Sequence, residues 1–412
     1  MVKKKIKVFV GMSGGVDSSV AAALLSTKGG SASGGKKQKY DVSGVYIKSF
    51  NIDGCSARDA EDARHVAEML KIPFYIFDLE KEYKEIVVKY MIDGYRRGIT
   101  PNPDVMCNKE IKFGLFLKKA LEMGADYVAT GHYVRLIQRK KSVSSTRFAH
   151  PANRSLVLAT PPLGLEIKRA DRAEAAAGVS ENRIFSLYQA KDKNKDQSYF
   201  LWTLTQNQLK YCLFPIGDYL KPEVRKLAKK FHLPTADKKD SQGICFLGKV
   251  GLQDFLSRYL PLKKGIILDT SGKIIGKHNG AYFYTIGQRR GLNLGNREKG
   301  VGSEPYYVAE KDARSNVILV AKGENNPALY IKKIKLTNIN WIDPVSNKNL
   351  AGKKLKVLMR VRYRQPLFKA SLAKNGGKIE AVFDKPQKFV APGQSAVFYN
   401  TKGILLGGGV II

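Results

Sequence analysis

Three short stretches of this chain carry residue types that do chemistry. The first runs Gly11, Met12, Ser13, Gly14, Gly15, Val16, Asp17, Ser18 and Ser19. No lysine closes it, so it is not a GxxxxGK[ST] phosphate loop, and its glycines do not fit GxGxxG. Gly14 and Gly15 let the backbone approach an oxyanion, the serines offer hydroxyl and amide donors, and a helix starting here adds a positive dipole end. That is chemistry for holding a phosphate. Asp17 beside an anion makes sense as a Mg²⁺ ligand that neutralises phosphates. The plainer alternative is a Gly-Gly turn capped by Asp and Ser.

The second stretch, Asn102, Pro103, Asp104, Val105, Met106, Cys107, Asn108, Lys109 and Glu110, reads as a loop entering a helix near Asn108. A cysteine at a helix start gains thiolate character from the dipole, and Lys109 pushes the same way. Asp104 opposes the thiolate but can take or give a proton. The third stretch, Asp240 to Phe246, again sets a cysteine, Cys245, close to a glycine. Cys55 and Cys212 lack such contexts and read as small buried hydrophobes. Asp104, Cys107 and Cys245 are also a conceivable ligand set for an iron–sulfur cluster, which the sequence leaves open.

These stretches need elements to hold them. The apolar run 6–10 breaks at Gly11, and the Ala/Leu-rich run 18–27 predicts a helix. Strand-like 42–50, 73–79 and 126–130 then alternate with helix-like 59–70, 81–95 and 108–124. The alternation predicts an α/β domain whose parallel sheet is covered on both faces, with ligands beyond the carboxyl ends of the strands. Residues 28–39 and 138–190 interrupt it as irregular surface connections. Residues 199–214 and 221–233 are helical by spacing. From about 262 the texture becomes β, the last eighty residues show no helix, and a small closed or nearly closed β-domain is expected at the C-terminus. The expected domains are residues 1–250, 251–327 and 328–412.

With 412 residues, 43% of them hydrophobic, the chain exceeds a single small module and is not disordered throughout. Lys and Arg number 71 against 36 Asp and Glu, a net +35, which points to a polyanionic partner bound with steep salt dependence. Four cysteines without a CxxC pair make no disulfide scaffold and suit a reducing cytoplasm. The basic N-terminus has too short an apolar run for a signal core, and no stretch reads as spanning a membrane.

The loop SGGVDSS resembles the PP-loop of ATP pyrophosphatases. Together with TPNPDVMCNKEIKFG (100–114), ATGHY (129–133), KDQSYFLW (195–202), LFPIGDYLKPEVRKLA (213–228), KDSQGICFLG (239–248), YTIGQRRGL (284–292), RVRYRQ (360–365) and PGQSAVFYN (392–400), it resembles the tRNA-specific 2-thiouridylase family over nearly the whole chain. The resemblance implies a PP-loop domain, a small β-rich middle domain and a C-terminal β-barrel. It implies that ATP, with Mg²⁺, lies on Gly11, Met12, Ser13, Gly14, Gly15, Val16, Asp17 and Ser18, with Ile47 and Gly131 near base and ribose. The C2 oxygen of the wobble uridine would be adenylated, Cys245 would carry a persulfide, and Cys107 would release sulfide or close a disulfide. Asn102, Pro103 and Asp104 would contact the extruded base. His132, Lys195, Asp196, Gln197, Arg362, Tyr363 and Gln394 would touch the tRNA, a persulfide-relay protein would donate sulfur, and the enzyme would act as a cytoplasmic monomer. On residue chemistry alone, His132 is an ordinary hydrogen-bonded loop histidine and RVRYRQ a solvated strand face. Two other readings are a PP-loop ligase or amidotransferase on a small acid, and a nucleic-acid-binding protein with a degenerate loop.

Overall fold

The computed structural model describes residues 5–26, 40–52, 54–140, 183–240, 246–248, 250–294, 304–350, 354–375 and 378–412. The expected connection 28–39 and the Cys245 segment 241–245 lie outside the described residues. Strands β1 (Ile6–Gly11), β2 (Tyr40–Lys48), β3 (Phe74–Asp78), β4 (Tyr127–Thr130) and β7 (Cys212–Leu213) form one parallel sheet in the order β3-β2-β1-β4-β7. Period-two alternation distributes their side chains between two cores. Phe9, Val45, Phe77 and Val128 face one, and Val8, Val10, Val42 and Ala129 the other. Both faces are covered, as the near-continuous apolar runs predict.

Helix α1 (Val16–Ser26) is buried nearly all round, with Ala21, Ala22 and Ala23 fully so. Val224 and Ala228 of a later helix, α5 (Lys221–Lys230), pack in the same core. Helix α2 (Cys55–Met69) joins that same core through Ala63 and Val66, while the opposite face is covered by two helical runs, α3 over residues 80–96 and α4 over residues 103–122. Helix α4 begins at Pro103, five residues before the expected start. Asn102 caps it, its Oδ1 accepting from Val105 N at 3.2 Å, and proline occupies the first helical position. Residues Cys107–Phe116 then follow a wider, π-helical path.

Two further expectations are corrected. Residues 138–140 and 183–189 are not irregular, since β5 (Val134–Lys140) and β6 (Arg183–Gln189) form an antiparallel ladder. The helical structure of the segment predicted over 199–214 is limited to a 3₁₀ turn (Ser198–Phe200) and one helical turn (Gln206–Leu209), and it ends in strand β7. Its aromatics are pulled into an interface instead: Tyr199 OH donates to Ser395 O at 3.0 Å and Trp202 Nε1 to Ser395 Oγ at 2.9 Å. Tertiary partners outweigh the helical spacing.

Strands β8 (Gly265–Asp269), β9 (Ile274–His278), β10 (Tyr306–Asp312) and β11 (Val317–Lys322) make a four-stranded sheet. Six strands, β12 (Tyr330–Trp341), β13 (Leu355–Arg360), β14 (Phe368–Asn375), β15 (Lys378–Lys388), β16 (Ser395–Tyr399) and β17 (Leu405–Ile411), close into a barrel around Leu336, Met359, Leu372, Ala381 and Phe398. The expected α/β class with β-rich C-terminal parts is observed. The last eighty residues do hold one short helix, Pro344–Asn349. Among the described residues no helix is long and apolar enough to cross a membrane.

Candidate active site

Strand β1 sits at the point where the strand order reverses, with β2 on one side and β4 on the other, so the loop after it opens into the crevice between diverging connections. Gly14 has φ of 70°, and a Cβ there would lie 2.2 Å from the Asp59 carbonyl oxygen, so only glycine fits the turn. Ser18 Oγ accepts from Ser13 N at 3.1 Å and donates to Gly15 O at 3.1 Å, bracing the loop from inside. Ser13 stays exposed. The first-turn amides of α1 have no acceptor within the helix. Gly131, just after β4, closes the other side: a Cβ on it would come 2.6 Å from Ser18 N. Ile47 is half-buried near the end of β2 at the same sheet edge. The arrangement fits an oxyanion of phosphate size.

Asp17 departs from expectation. Its carboxylate accepts from Tyr133 OH at 2.8 Å and from Lys221 Nζ at 2.7 and 2.9 Å. Lys221 also pairs with Asp240 Oδ1 at 2.8 Å, and Asp240 takes Lys195 at 2.7 Å and Arg225 at 2.9 Å. Burial opposes ionisation of Asp240, yet the Lys195 and Lys221 hydrogen bonds hold its pKa down at about 2. Burial, then the adjoining Asp17 carboxylate, pushes the Tyr133 hydroxyl far up, so it remains a donor. Among the described residues no three metal-ligating side chains converge. Asp17 is therefore built as an ion-pair partner, and its donor set does not fit a resident Mg²⁺. Lys221, Tyr133 and Arg225 were not singled out by sequence. Lys221 lies 204 residues from Asp17, and no local pattern links them.

Helix α4, which sets Phe116 against Gly11 and Phe113 against His132, carries Asp104 and Cys107 in its first two turns. Cys107 is 5% exposed and sits in the second turn, not at the helix start, so its expected place at the dipole end is corrected. Asn102 and Pro103 are buried and Asp104 is half-buried. His132 is 7% exposed, its Nδ1 2.8 Å from Thr130 Oγ1 and its ring 5.8 Å from Phe113. Burial, helped by Lys112, keeps its pKa well below the usual histidine value. A neutral imidazole shapes this wall of the site. Cys212 is buried, donates to Gln208 O at 3.2 Å, and has its thiol pKa pushed up by burial, as an inert cysteine should.

Cys245 lies outside the described residues, and with it the Asp104–Cys107–Cys245 ligand set. Its flanks are informative. Asp240 is tied to Lys221 beside Asp17, while Phe246 is buried in the core cluster that holds Cys107, with its ring 5.7 Å from Tyr83.

Residues expected at the RNA divide into two groups. Asp196 is corrected: its side chain is fully buried and paired with Arg360, out of reach of any phosphate. Gln394 braces the site from the barrel, its Nε2 donating to Thr100 O at 2.9 Å and Pro101 O at 3.2 Å, directly before Asn102. Gln197 Oε1 accepts from Tyr133 N at 2.9 Å. Arg362 donates to Ile286 O and lies over Phe389, while Tyr363 packs 4.5 Å from Phe200 between ring centroids. Lys195, Arg362 and Tyr363 keep part of their surface in solvent.

Residues 6–157 and 170–249 match the family described as the tRNA methyl transferase HUP domain. Residues 253–322 match the tRNA methyl transferase PRC-barrel domain, and 331–411 the aminomethyltransferase beta-barrel domain. The chain is 42% identical to tRNA-specific 2-thiouridylase MnmA 1 of Geobacillus kaustophilus (strain HTA426), covering 99% of this chain and 96% of that one. It is 40% identical to tRNA-specific 2-thiouridylase MnmA of Pseudoalteromonas translucida (98% and 97% covered) and of Bacillus subtilis (98% and 94% covered).

Proposed function

Because the chain belongs to the tRNA-specific 2-thiouridylase family, we propose that the crevice above β1 and β4 is where it exchanges the C2 oxygen of a tRNA uridine for sulfur. The observation that carries this reading is the Gly14 turn at the switch point together with helix α4, whose Phe116 lies against Gly11 and whose start at Asn102 is tied to the barrel through Gln394. The enzyme uses ATP. Gly11 to Ser18 cradle the triphosphate, with Ile47 and Gly131 toward base and ribose. Magnesium enters with the triphosphate and is no resident of Asp17.

Asn102, Pro103 and Asp104 receive the extruded base, whose O2 attacks the α-phosphorus as pyrophosphate leaves. A sulfane sulfur held on Cys245 then replaces AMP at C2. The Cys107 thiolate attacks the Cys245 sulfur, the sulfide passes to C2, and a Cys107–Cys245 disulfide remains for an external thiol to reduce. The sulfur comes from a persulfide-carrying protein, and the enzyme works as a cytoplasmic monomer. Lys195, Arg362 and Tyr363 track the tRNA backbone within a strongly basic chain.

Mass spectrometry of tRNA after incubation with ATP and sulfide tests the reading: one uridine should gain a sulfur in place of an oxygen. The word methyl transferase in two matched family descriptions marks the rival outcome, a gain of CH₂ that needs neither a PP-loop nor paired cysteines. That product, or unchanged tRNA, refutes the proposal.

The Lys221 link makes its own prediction. Without its ammonium, the Asp17 carboxylate faces incoming phosphate uncompensated. Lys221→Ala should weaken ATP binding about tenfold, roughly 1.4 kcal/mol, in calorimetry, with Lys221→Arg restoring most of it. Unchanged affinity would remove Lys221 from the nucleotide site and leave it only as a brace for Asp240.

A further inference from the structure

Asn108 is 3% exposed and follows Cys107 directly. Its Nδ2 donates to the Asp104 carbonyl oxygen at 3.0 Å, one helical turn back. Its Oδ1 is buried and has no hydrogen-bond partner among the described residues. A buried carbonyl left without a donor costs about 1–3 kcal/mol, so a native fold keeps one where something else supplies the donor. The amide cannot turn round to relieve it, because that would set Oδ1 against the Asp104 carbonyl, acceptor against acceptor. The acceptor end is thus fixed, turned away from the Asp104 carbonyl, on a residue one helical turn beyond Asp104.

Resting on the reading above, we infer that Asn108 Oδ1 accepts the N3–H of the target uracil and is the group that selects uridine over cytidine. Uracil carries a hydrogen on N3, next to the reacting C2; cytosine has a lone pair there. The locked acceptor pairs with the first and repels the second. As O2 attacks the α-phosphorus the ring gains positive charge, and N3–H becomes a stronger donor, so the bond tightens toward the transition state. The N3 proton must leave once O2 is esterified, and the Asp104 carboxylate one turn away takes it.

The test uses anticodon stem-loops carrying uridine, cytidine or 3-methyluridine at the target position, with the full-length protein. The wild type should bind uridine about tenfold to a hundredfold more tightly than cytidine, the range of a buried acceptor left unmatched. Asn108→Leu, close in size, should bring the two within about threefold by losing the uridine preference. A wild type that does not discriminate, or a folded Leu variant that still does, overturns the assignment. If the variant does not fold, the wild type decides: equal affinity for uridine and 3-methyluridine, which lacks the N3–H, overturns it and a loss supports it. Thiolation of the uridine substrate by the wild type is followed in parallel. Its absence sinks the thiouridylase reading itself, whereas thiolation without the Asn108 effect sinks only this inference.

Discussion

Cys107→Ser should reduce 2-thiolation by at least about a thousandfold while leaving the fold intact, because the sulfide-releasing step proposed for it has no oxygen equivalent. A hydroxyl can neither attack Cys245 Sγ to expel sulfide nor end in a disulfide. The structure favours a clean loss. Cys107 lies in a core cluster with Val105, Ile111 and Phe113, inside a helix whose cap is Asn102, so the smaller Oγ removes little packing and no cap. Its thermal midpoint should stay within about 4 °C of wild type, a stability change near 1 kcal/mol. Adenylation precedes sulfur delivery, so pyrophosphate release stimulated by tRNA should persist in the variant. Single-turnover thiolation and pyrophosphate release measured side by side make the check. Thiolation above a tenth of wild type would take the thiol out of the mechanism, and loss of both signals would make Cys107 a structural residue of the nucleotide site.

Asp196→Ala should destabilise the protein by about 3–5 kcal/mol, the usual result of removing one partner of a buried ion pair. Arg360 is 4% exposed and the Asp196 side chain not at all. The carboxylate also accepts from Gln189 Nε2 at 3.1 Å, Ala190 N at 3.1 Å, and Ser198 Oγ at 2.9 Å. Alanine leaves these donors, and a guanidinium held otherwise by Tyr399 OH at 2.8 Å and Ser198 Oγ at 3.2 Å, without their shared acceptor. Because Arg360 ends barrel strand β13 and Asp196 follows β6, the pair ties the barrel to the first sheet's domain. The melting temperature should drop by about 10 °C. The double replacement Asp196→Leu with Arg360→Met should recover much of it, since apolar isosteres remove both charges from the interior. A single variant that melts within about 2 °C of wild type would show the pair to be idle.

Much of the site was readable from neighbouring residues. Turn geometry at Gly14, the strand before it and the helix after it follow from a few adjacent side chains, because φ, ψ and helix capping are set within one or two turns. Strands alternating with helices likewise announced a sheet buried on both faces, and period-two runs the β-rich C-terminal part. Where such local rules competed with distant partners they failed. Residues 199–214 have helical spacing, yet Tyr199 and Trp202 bond to Ser395, and the segment bends to reach it.

The amino-acid order by itself determined the chemistry on offer: a glycine and serine loop suited to phosphate, two cysteines in polar contexts, and a charge suited to a polyanionic partner. Tertiary structure alone decided which groups meet. It joined Lys221 to Asp17, sank Asp196 beneath the surface against Arg360, turned Gln394 into a brace, and left the buried Asn108 Oδ1 without a donor among the described residues. The physical reason is range. Backbone preferences and side-chain periodicity act over a few residues, whereas an ion pair or a buried orphan acceptor is defined by which surfaces packing presses together, and spacing along a chain carries no record of that.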